Sequence, residues 1–417
     1  MDEPREEPAG KPAGEPDEEL DRLRAALDRT DAEILRQLRA RLDTVAEIAR
    51  RKAGGLSFLR DPGREAALLA RMEVEARAAG LDPLRTSEIF RQIIAMSVRV
   101  QEEHLLARER AERSARCSPR VAYQGGPGAY SHLAARKYFA GRADLEYAGF
   151  PSFALALRAA ESGEAGYAIL PIENAIAGSI NEIYDLLHHT GLSIVGEEIF
   201  DIRHCLLALA PGSPSGLRRI LSHPQALAQC SEFLRGLSEC EVTSYFDTAE
   251  AVRKVREDGD PRQGAIASEE AGRLHDLTVI ARDIANQDEN WTRFVLVSAV
   301  RILPDPRIPA KTSLIFSAPH RQGALARCLA ILAEHGLNLT KLESRRLPRR
   351  PWEYLFYLDF EGSLAQEPVG RAVEALRSEC PSLKVLGSYP ARTTAAGRPG
   401  RLGRSREGEA GRAPAGD

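Results

Sequence analysis

The chain of 417 residues lacks several features that would place it in a specialised class of protein. Its net charge is only −3, which gives no overall field to favour nucleic acid or a membrane surface. The six cysteines are scattered without a CxxC pair, so the sequence predicts neither a disulfide framework nor a zinc site, and a reducing compartment is expected. The N-terminus has no apolar core of signal-peptide length, and no apolar run anywhere has the length of a membrane span. We therefore expect a soluble, cytoplasmic protein without nucleic-acid or membrane partners.

Composition and hydrophobic period divide the chain into five predicted segments. Both ends are rich in Pro, Gly, Ala and charge, which is typical of disordered tails. Between them the period changes from helical, to alternating strands and helices of an α/β fold, to a β-α-β-β-α-β order that is typical of the α+β ferredoxin-like plan. Charged and Pro-rich linkers, 108–118 and 300–310, separate these regions. The predicted segments are a tail 1–16, an all-α domain 17–108, a two-lobed α/β domain 119–299, a ferredoxin-like domain 312–390 and a tail 391–417.

The all-α region opens with a long helix whose apolar seam is interrupted by charge. Apolar residues recur every three or four positions from Leu20 to about Lys52, but Arg24 and Arg41 occupy the same seam. A buried unpaired charge is costly, so these side chains either reach water, set the register of packing or meet an anion. Arg24 and Arg41 are 17 positions apart, about 25 Å along a helix. One small dicarboxylate cannot span that distance, so we expect Arg24 to act in a partner chain, within an intertwined dimer.

Two further predicted helices add polar side chains to this region. One begins near Asp61, and the other carries Ser97 and Gln101, which are four positions apart and share a face. These positions resemble those of the all-helical chorismate mutases. The resemblance implies that arginines hold the two carboxylates of chorismate, that Lys52 and Gln101 donate to its ether oxygen, and that Glu65 and Ser97 hold the ring hydroxyl. The implied chorismate-binding residues are Arg24, Arg41, Lys52, Asp61, Arg64, Glu65, Ser97 and Gln101.

A second candidate site lies where the polar run 286–293 turns into the apolar strand 294–297. Ligands of α/β sheets bind at such strand ends. Arg293 could hold a carboxylate at two points, and Thr292 could donate a hydrogen bond. The alternative is that Thr292 caps a turn and Arg293 is a solvated surface charge.

Residues 290–294 resemble the Asn-x-Thr-Arg-Phe motif of prephenate dehydratases, and three more motifs of that family occur upstream. These are a Gly-rich strand-to-helix turn before Ser131, Pro-Ile-Glu-Asn at 171–174 and Ser-His-Pro at 222–224. Taken alone, each is a weak signal that fits a turn or a helix cap. The resemblance implies that Thr292 assists the departing hydroxyl of prephenate. The implied prephenate-binding residues are Ser131, Glu173, Asn174, Ser222, Gln229 and Arg293. The adjacent residues His204 and Cys205 would point to opposite faces of a strand, which argues against a cysteine nucleophile there.

The C-terminal region resembles ACT regulatory domains. Two triplets match the family's phenylalanine-binding motifs, namely Gly323, Ala324 and Leu325, and Glu343, Ser344 and Arg345. Arg346 stands where the family commonly has proline, and a domain used only for dimer contact is the alternative.

As a whole the chain resembles the bifunctional chorismate mutase/prephenate dehydratases. The resemblance implies conversion of chorismate through prephenate to phenylpyruvate, inhibition by phenylalanine, a homodimer or larger homo-oligomer, and no cofactor or metal. Two alternatives stay open: a dehydratase whose helical region serves only dimerisation, and a small-molecule sensor without turnover.

Overall fold

The computed structural model describes residues 18–52, 61–237, 239–346 and 354–392. The predicted tails therefore lie outside the described residues, apart from residues 391 and 392. The chain divides after Arg108 into two compact units. Among the described helices, none combines the length and the apolar character needed to cross a membrane.

Three helices form the first unit: α1 Glu18–Lys52, α2 Pro62–Ala78 and α3 Pro83–Ser114. Asp61 caps α2 by accepting a hydrogen bond from the backbone N–H of Arg64 at 3.0 Å, and Pro62 follows it in the first turn. The three predicted helices are confirmed. The linker predicted from residue 108 is wrong over its first half, because α3 continues to Ser114 through a run of Arg, Glu and Ala, which are good helix formers.

The N-terminal half of α1 presents apolar side chains that no described residue of the chain covers. Five of them are between 42% and 68% exposed, namely Leu20, Leu23, Leu27, Ile34 and Leu35. Ala49, near the other end of the helix, is buried. The predicted apolar seam is therefore present, but half of it lacks a packing partner within the described part of this unit.

The second unit begins with an α/β region of two lobes, one built on each of two sheets. Its helices and strands are β1 Arg120–Gln124, α4 Tyr130–Tyr138, β2 Glu146–Phe150, α5 Phe153–Glu161, β3 Tyr167–Asn174, β4 Gly178–Ser179, α6 Asn181–His189, β5 Ser193–Asp201, β6 Cys205–Ala208, β7 Arg219–Ser222, α7 Pro224–Gln229, α8 Ser231–Arg235, β8 Glu241–Ser244, α9 Thr248–Asp258, β9 Gln263–Ala267, α10 Glu269–Leu274, β10 Thr278–Ala281 and β11 Trp291–Ser298.

The chain crosses between the two lobes twice. The first sheet has the order β2-β1-β3-β11-β5, with β4 paired to β3, and the second has the order β10-β6-β9-β7-β8. The chain leaves the first sheet after β5 and returns to it as β11, which lies antiparallel between β3 and β5. The start of β11, where Thr292 lies, is therefore at the junction of the lobes.

A four-stranded antiparallel sheet with two helices completes the second unit. Its order, β13-β14-β12-β15, and its β-α-β-β-α-β sequence confirm the predicted ferredoxin-like plan. Side chains of this sheet, including Tyr357 and Leu386, share one buried core with Ala168 and Leu187 of the first lobe. The elements are β12 Ala310–Ser317, α11 Ala324–Glu334, β13 Leu339–Arg346, β14 Tyr354–Glu361, α12 Glu367–Glu379 and β15 Ser382–Pro390.

We predict that Gly387→Ala destabilises the protein by about 1–3 kcal/mol, because a Cβ at this position of β15 would overlap the backbone carbonyl of Ile194 on β5. Urea unfolding of the intact chain measures the loss. Gly370→Ala in helix α12 is the matched control, since a Cβ there meets nothing within 4 Å and Ala favours a helix by up to about 1 kcal/mol. Equal unfolding midpoints for the two variants would contradict this account of the domain packing.

Candidate active site

A cavity of about 340 Å³ lies between the two lobes, at the start of β11. Ser131, Asn174 and Thr292 reach it from the first lobe, and His204 and Gln229 reach it from the second. Of the seven side chains predicted for the dehydratase site, the structure brings together four here: Ser131, Asn174, Gln229 and Thr292.

The central contact of the cavity is a hydrogen bond between two facing strands. Thr292 on β11 is in register with Asn174 on β3, and Asn174 Nδ2 donates to Thr292 Oγ1 at 2.9 Å. The other end of the Asn174 amide, Oδ1, accepts the backbone N–H groups of Ile176 and Ala177 at 3.1 and 2.9 Å. The threonine oxygen thus accepts from a fixed amide, and its own proton is left to donate to an atom in the cavity.

Polar side chains extend this contact across both lobes. Asn174 Nδ2 also donates to Asn290 Oδ1 at 2.7 Å, and Asn290 Nδ2 donates to Gln229 Oε1 at 3.0 Å. His204 Nε2 lies 2.9 Å from the same Gln229 oxygen, and His204 Nδ1 lies 3.0 Å from the hydroxyl of Tyr130. Burial lowers the pKa of His204, which favours a neutral ring whose Nε2–H can donate to Gln229.

Asn290, His204 and Tyr130 are site residues that sequence reasoning missed. Asn290 stands two positions before Thr292, so the period of a strand could have placed both on one face. His204 was considered only as the neighbour of Cys205. The structure places it just before β6, on the cavity, whereas Cys205 lies in the core of the second lobe. No local pattern points to Tyr130.

Neither Lys nor Arg lines the described wall of the cavity. The donors that face it include the hydroxyls of Ser131 and Thr292 and the amides of Asn174 and Gln229. Helix α4 also begins there, and the methyl side chain of its N-cap residue, Ala129, cannot accept a hydrogen bond from the first backbone N–H groups. Such a helix end favours an anion. The arrangement can therefore hold a carboxylate by hydrogen bonds from buried donors. The side chains of Glu182 and Asp247 also line the cavity.

Arg293 does not line this cavity, and our expectation that it faces the ligand beside Thr292 is corrected. Successive side chains of a strand point to opposite faces, so Thr292 and Arg293 diverge. The Arg293 side chain is only 8% exposed, and its Nε and Nη1 donate to Glu197 and Asp359 at 2.7 Å each. Its Nη2 donates to the hydroxyl of Tyr389 at 2.9 Å.

Two more predicted dehydratase residues lie outside the cavity lining. Glu173 precedes Asn174 on β3, so it points away from the cavity and pairs with Lys341 of β13 at 3.0 Å. Ser222 is fully buried and donates to the backbone carbonyl of Ile266 on the neighbouring strand.

The first unit brings part of its predicted site together. Arg41 of α1 donates to the hydroxyl of Ser97 and to the carbonyl of Ile93, the latter at 3.5 Å, and burial lowers its pKa. Gln101 lies one turn beyond Ser97, and its Oε1 is buried without a hydrogen-bond partner among the described residues. Arg24 is exposed and pairs with Asp21 at 3.2 Å.

The remaining predicted mutase residues lie around α2 and at the end of α1. Asp61 caps α2, Arg64 is exposed and Glu65 is half-buried. Lys52 ends α1, and its side chain lies outside the described residues.

The two triplets predicted to bind phenylalanine lie at different parts of the C-terminal domain. Gly323 has a φ of +75° and caps α11, with Ala324 buried and Leu325 half-buried after it. On the edge strand β13, Glu343 accepts a hydrogen bond from Ser179 at 2.9 Å, and Arg345 pairs with Asp185 at 3.3 Å. Ser344, between them, is exposed on the opposite face.

The described residues contain no group of three or more His, Cys, Asp or Glu side chains arranged to hold a metal ion.

Comparisons with known proteins match both units. The family model for chorismate mutase type II matches residues 23–102, and the model for prephenate dehydratase matches residues 121–301. A bifunctional chorismate mutase/prephenate dehydratase from Enterobacter agglomerans is 37% identical over 380 residues, covering 91% of this chain and 98% of the relative.

Two solved structures resemble the second unit. The prephenate dehydratase of Arthrobacter aurescens in complex with L-phenylalanine is 29% identical, with a TM-score of 0.61 over 67% of this chain and 92% of that one. A protein described as a novel type of quorum quenching acylase is 36% identical, with a TM-score of 0.59 over 65% of this chain and 98% of that one.

We predict that His132 makes stability fall as the pH is lowered. Its Nδ1 accepts the N–H of Gly128 in the turn before α4 at 3.0 Å, and burial together with Arg136 lowers its pKa to about 4. The ordinary pKa of histidine is about 6.5, so between about pH 6.5 and 4 the unfolded chain binds more protons at this residue than the folded chain does. The contribution of His132 to stability is therefore complete above about pH 6.5 and declines as the pH falls towards about 4.

The melting temperature of the intact chain between pH 4 and 8 measures this effect. In His132→Asn the amide oxygen can still accept the Gly128 N–H without titrating, so the decline should be smaller than in the unchanged protein. Parallel profiles for the two proteins would show that His132 does not contribute.

Proposed function

Because this chain belongs to the family of bifunctional chorismate mutase/prephenate dehydratases, we propose how its residues divide the work of two reactions and how the second is regulated. The chain is an enzyme of phenylalanine biosynthesis. Its helical region carries chorismate mutase activity, and its α/β region carries prephenate dehydratase activity. The substrates are therefore chorismate and prephenate.

For the mutase reaction we propose that positive charge and hydrogen bonds hold a compact conformer of chorismate. The reaction is a unimolecular rearrangement, so it needs orientation and stabilisation of the ether oxygen rather than a nucleophile. Arg41, Ser97 and Gln101 supply one wall of this site from α1 and α3. Gln101 Oε1, one helical turn beyond the Arg41–Ser97 contact, is buried and has no hydrogen-bond partner among the described residues, which supports a ligand contact for this amide. The other proposed contacts are Arg24, Lys52, Asp61, Arg64 and Glu65.

Arg24 is proposed to act in the site of a second copy of the chain. It lies on the same helix as Arg41, about 25 Å away, and the described part of its own unit offers it only Asp21 as an ion-pair partner. The uncovered apolar residues from Leu20 to Leu35 lie on the same half of the helix. An intertwined dimer would cover these side chains and bring Arg24 to a site at once.

For the dehydratase reaction we propose that prephenate occupies the cavity between the lobes and that Thr292 donates a hydrogen bond to its departing hydroxyl. The observation that carries this proposal is the Asn174 Nδ2 to Thr292 Oγ1 hydrogen bond, which leaves the threonine proton for the ligand. A neutral hydroxyl is a weak acid, so it assists departure by hydrogen bonding rather than by full proton transfer. Ser131, Gln229 and the start of α4 are proposed to hold the carboxylates.

The C-terminal domain is proposed to be an ACT domain through which phenylalanine inhibits the dehydratase. Its support is the pair of motifs at 323–325 and 343–345, and a similar dehydratase was solved with L-phenylalanine. A physical route also exists: Glu343 and Arg345 contact Ser179 and Asp185, and the segment between these two residues contributes Ile180 and Glu182 to the cavity wall. A ligand that draws Glu343 away from Ser179 would loosen this wall.

We predict that Thr292→Ala lowers the dehydratase kcat by about 10²–10³-fold, the usual cost of one lost hydrogen bond to developing charge. Thr292→Ser, which keeps the hydroxyl, should stay within about tenfold of the unchanged enzyme. Phenylpyruvate formation from prephenate measures the effect, and chorismate consumption by the same samples is the internal control. A Thr292→Ala enzyme with full turnover would remove Thr292 from the reaction and favour a binding role.

We also predict that two inactive mutase variants restore activity when combined. If Arg24 serves the partner's site, a mixed dimer of Arg24→Ala and Arg41→Ala chains has one intact site and one site with both changes. An equal mixture of exchanged subunits should then regain about a quarter of the normal mutase rate. Arg39→Ala, an exposed arginine of the same helix that pairs with Asp43, should stay active alone. No recovery on mixing would place Arg24 in its own chain's site.

A further inference from the structure

The Arg293 side chain points away from the cavity and lies against the C-terminal sheet. Its guanidinium contacts four side chains, and two of them belong to the C-terminal sheet: Asp359 on β14 and Tyr389 on β15. The other two are Glu197 on β5 and, at 3.9 Å, Glu173 on β3. One residue of the first lobe thus connects three strands around Thr292 to the C-terminal domain.

Arg293, Lys311, Glu197 and Asp359 form a buried cluster of paired charges. Lys311 of β12 lies 3.4 Å from Glu197, so two buried cations face the two buried carboxylates of Glu197 and Asp359. Burial alone would raise the pKa of Glu197, but Arg293 and Lys311 outweigh it and lower this pKa to about 2. Asp359 also accepts a hydrogen bond from Ser313. Glu197 is therefore ionised at neutral pH, and contacts from several elements fix the geometry of the cluster.

The pairing of β11 is irregular on one of its two edges at this point. Its pairing with β3 shifts register between Arg293 and Phe294, so that Arg293 faces Glu173 but Phe294 faces Pro171. A bulge of this kind bends the strands and changes the direction of nearby side chains. On its other edge β11 pairs regularly with β5 from Trp291 to Leu296, so the irregularity is confined to the β3 side, at Arg293, the residue that follows Thr292.

We propose that Arg293 is a positioning residue of the dehydratase: held by Asp359 and Glu197, it fixes the start of β11 so that Thr292 faces the departing hydroxyl. The C-terminal domain then contributes part of the geometry of the site without touching the substrate. This inference rests on the proposed role of Thr292. A positioning role predicts a lower kcat when Arg293 is changed, whereas a substrate-binding role predicts a higher KM.

The test compares Arg293→Lys and Asp359→Asn in the full chain. Lysine keeps the charge but cannot contact two carboxylates as a planar fork, and asparagine keeps the size of Asp359 but removes its charge. Each should lower the dehydratase kcat by about 10–100-fold, the cost of a small displacement of a reacting group, while KM for prephenate changes by less than about threefold. The kcat of the double variant should be about that of the less active single variant, because both changes remove the same interaction.

Two controls separate positioning from a general loss of structure. Arg307→Lys changes an arginine of the linker that pairs with Asp305 at 2.6 Å, away from the cavity, and should leave the dehydratase kcat unchanged. The mutase rate of each sample reports the amount of active protein. The Thr292→Ala variant is measured alongside.

Each outcome decides between the two proposals. A kcat loss in both variants at nearly constant KM supports the positioning role. A rise in KM of tenfold or more for Arg293→Lys, with Asp359→Asn unchanged, would show instead that Arg293 binds substrate and would overturn the inference. If Thr292→Ala is inactive but both cluster variants turn over normally, only the inference fails. If Thr292→Ala is fully active, the proposed function fails.

Discussion

The charge of the buried Arg293 guanidinium has to be balanced where water cannot reach it, and Glu197 and Asp359 do this from two different domains. Removing one member of such a pair typically costs about 3–5 kcal/mol, because the remaining charge is left buried and unpaired. The first lobe and the C-terminal sheet are therefore joined by more than their shared apolar core. Arg293, which carries this charge, directly follows Thr292 on β11, so the contact between the domains lies next to the cavity.

On the other face of β11, the polar side chains bonded around Thr292 are neutral. Asn174, Asn290 and Gln229 bond to one another, Asn174 also bonds to Thr292, and His204 adds a ring whose pKa is lowered by burial. A cavity without Lys or Arg in its described lining has to hold an anionic ligand by hydrogen bonds and by the end of helix α4. Strand alternation thus separates two groups of side chains: one face of β11 carries the ion pairs between the domains, and the other faces the cavity.

The local pattern of apolar residues was sufficient to predict much of the fold. The helical period of α1, the strand-and-helix alternation of the two lobes and the β-α-β-β-α-β order of the C-terminal domain were predicted from the spacing of apolar residues. The end of α3 was not, because a charged run that looks like a linker is also a good helix. Thr292 and Asn174 were predicted from motifs, and the register of β11 against β3 brings them into contact.

The wrong placement of Arg293 has a specific cause. Alternation along β11 was enough to show that Thr292 and Arg293 point apart, and the same rule had been applied to His204 and Cys205. What the sequence could not supply was the partner on the far face, since Glu197 and Asp359 are 96 and 66 positions away. His204 was missed for a related reason, because its role depends on Gln229 and Tyr130, which only the folding of the lobes brings near.

Supplying chorismate alone to the intact protein, and following prephenate and phenylpyruvate with and without phenylalanine, tests the central claim most directly. We expect phenylpyruvate to form and phenylalanine to suppress it while the conversion of chorismate to prephenate continues. Phenylpyruvate formation that saturating phenylalanine leaves unchanged would contradict the regulatory role of the C-terminal domain. Accumulation of prephenate without phenylpyruvate would contradict the account of the cavity and of Thr292.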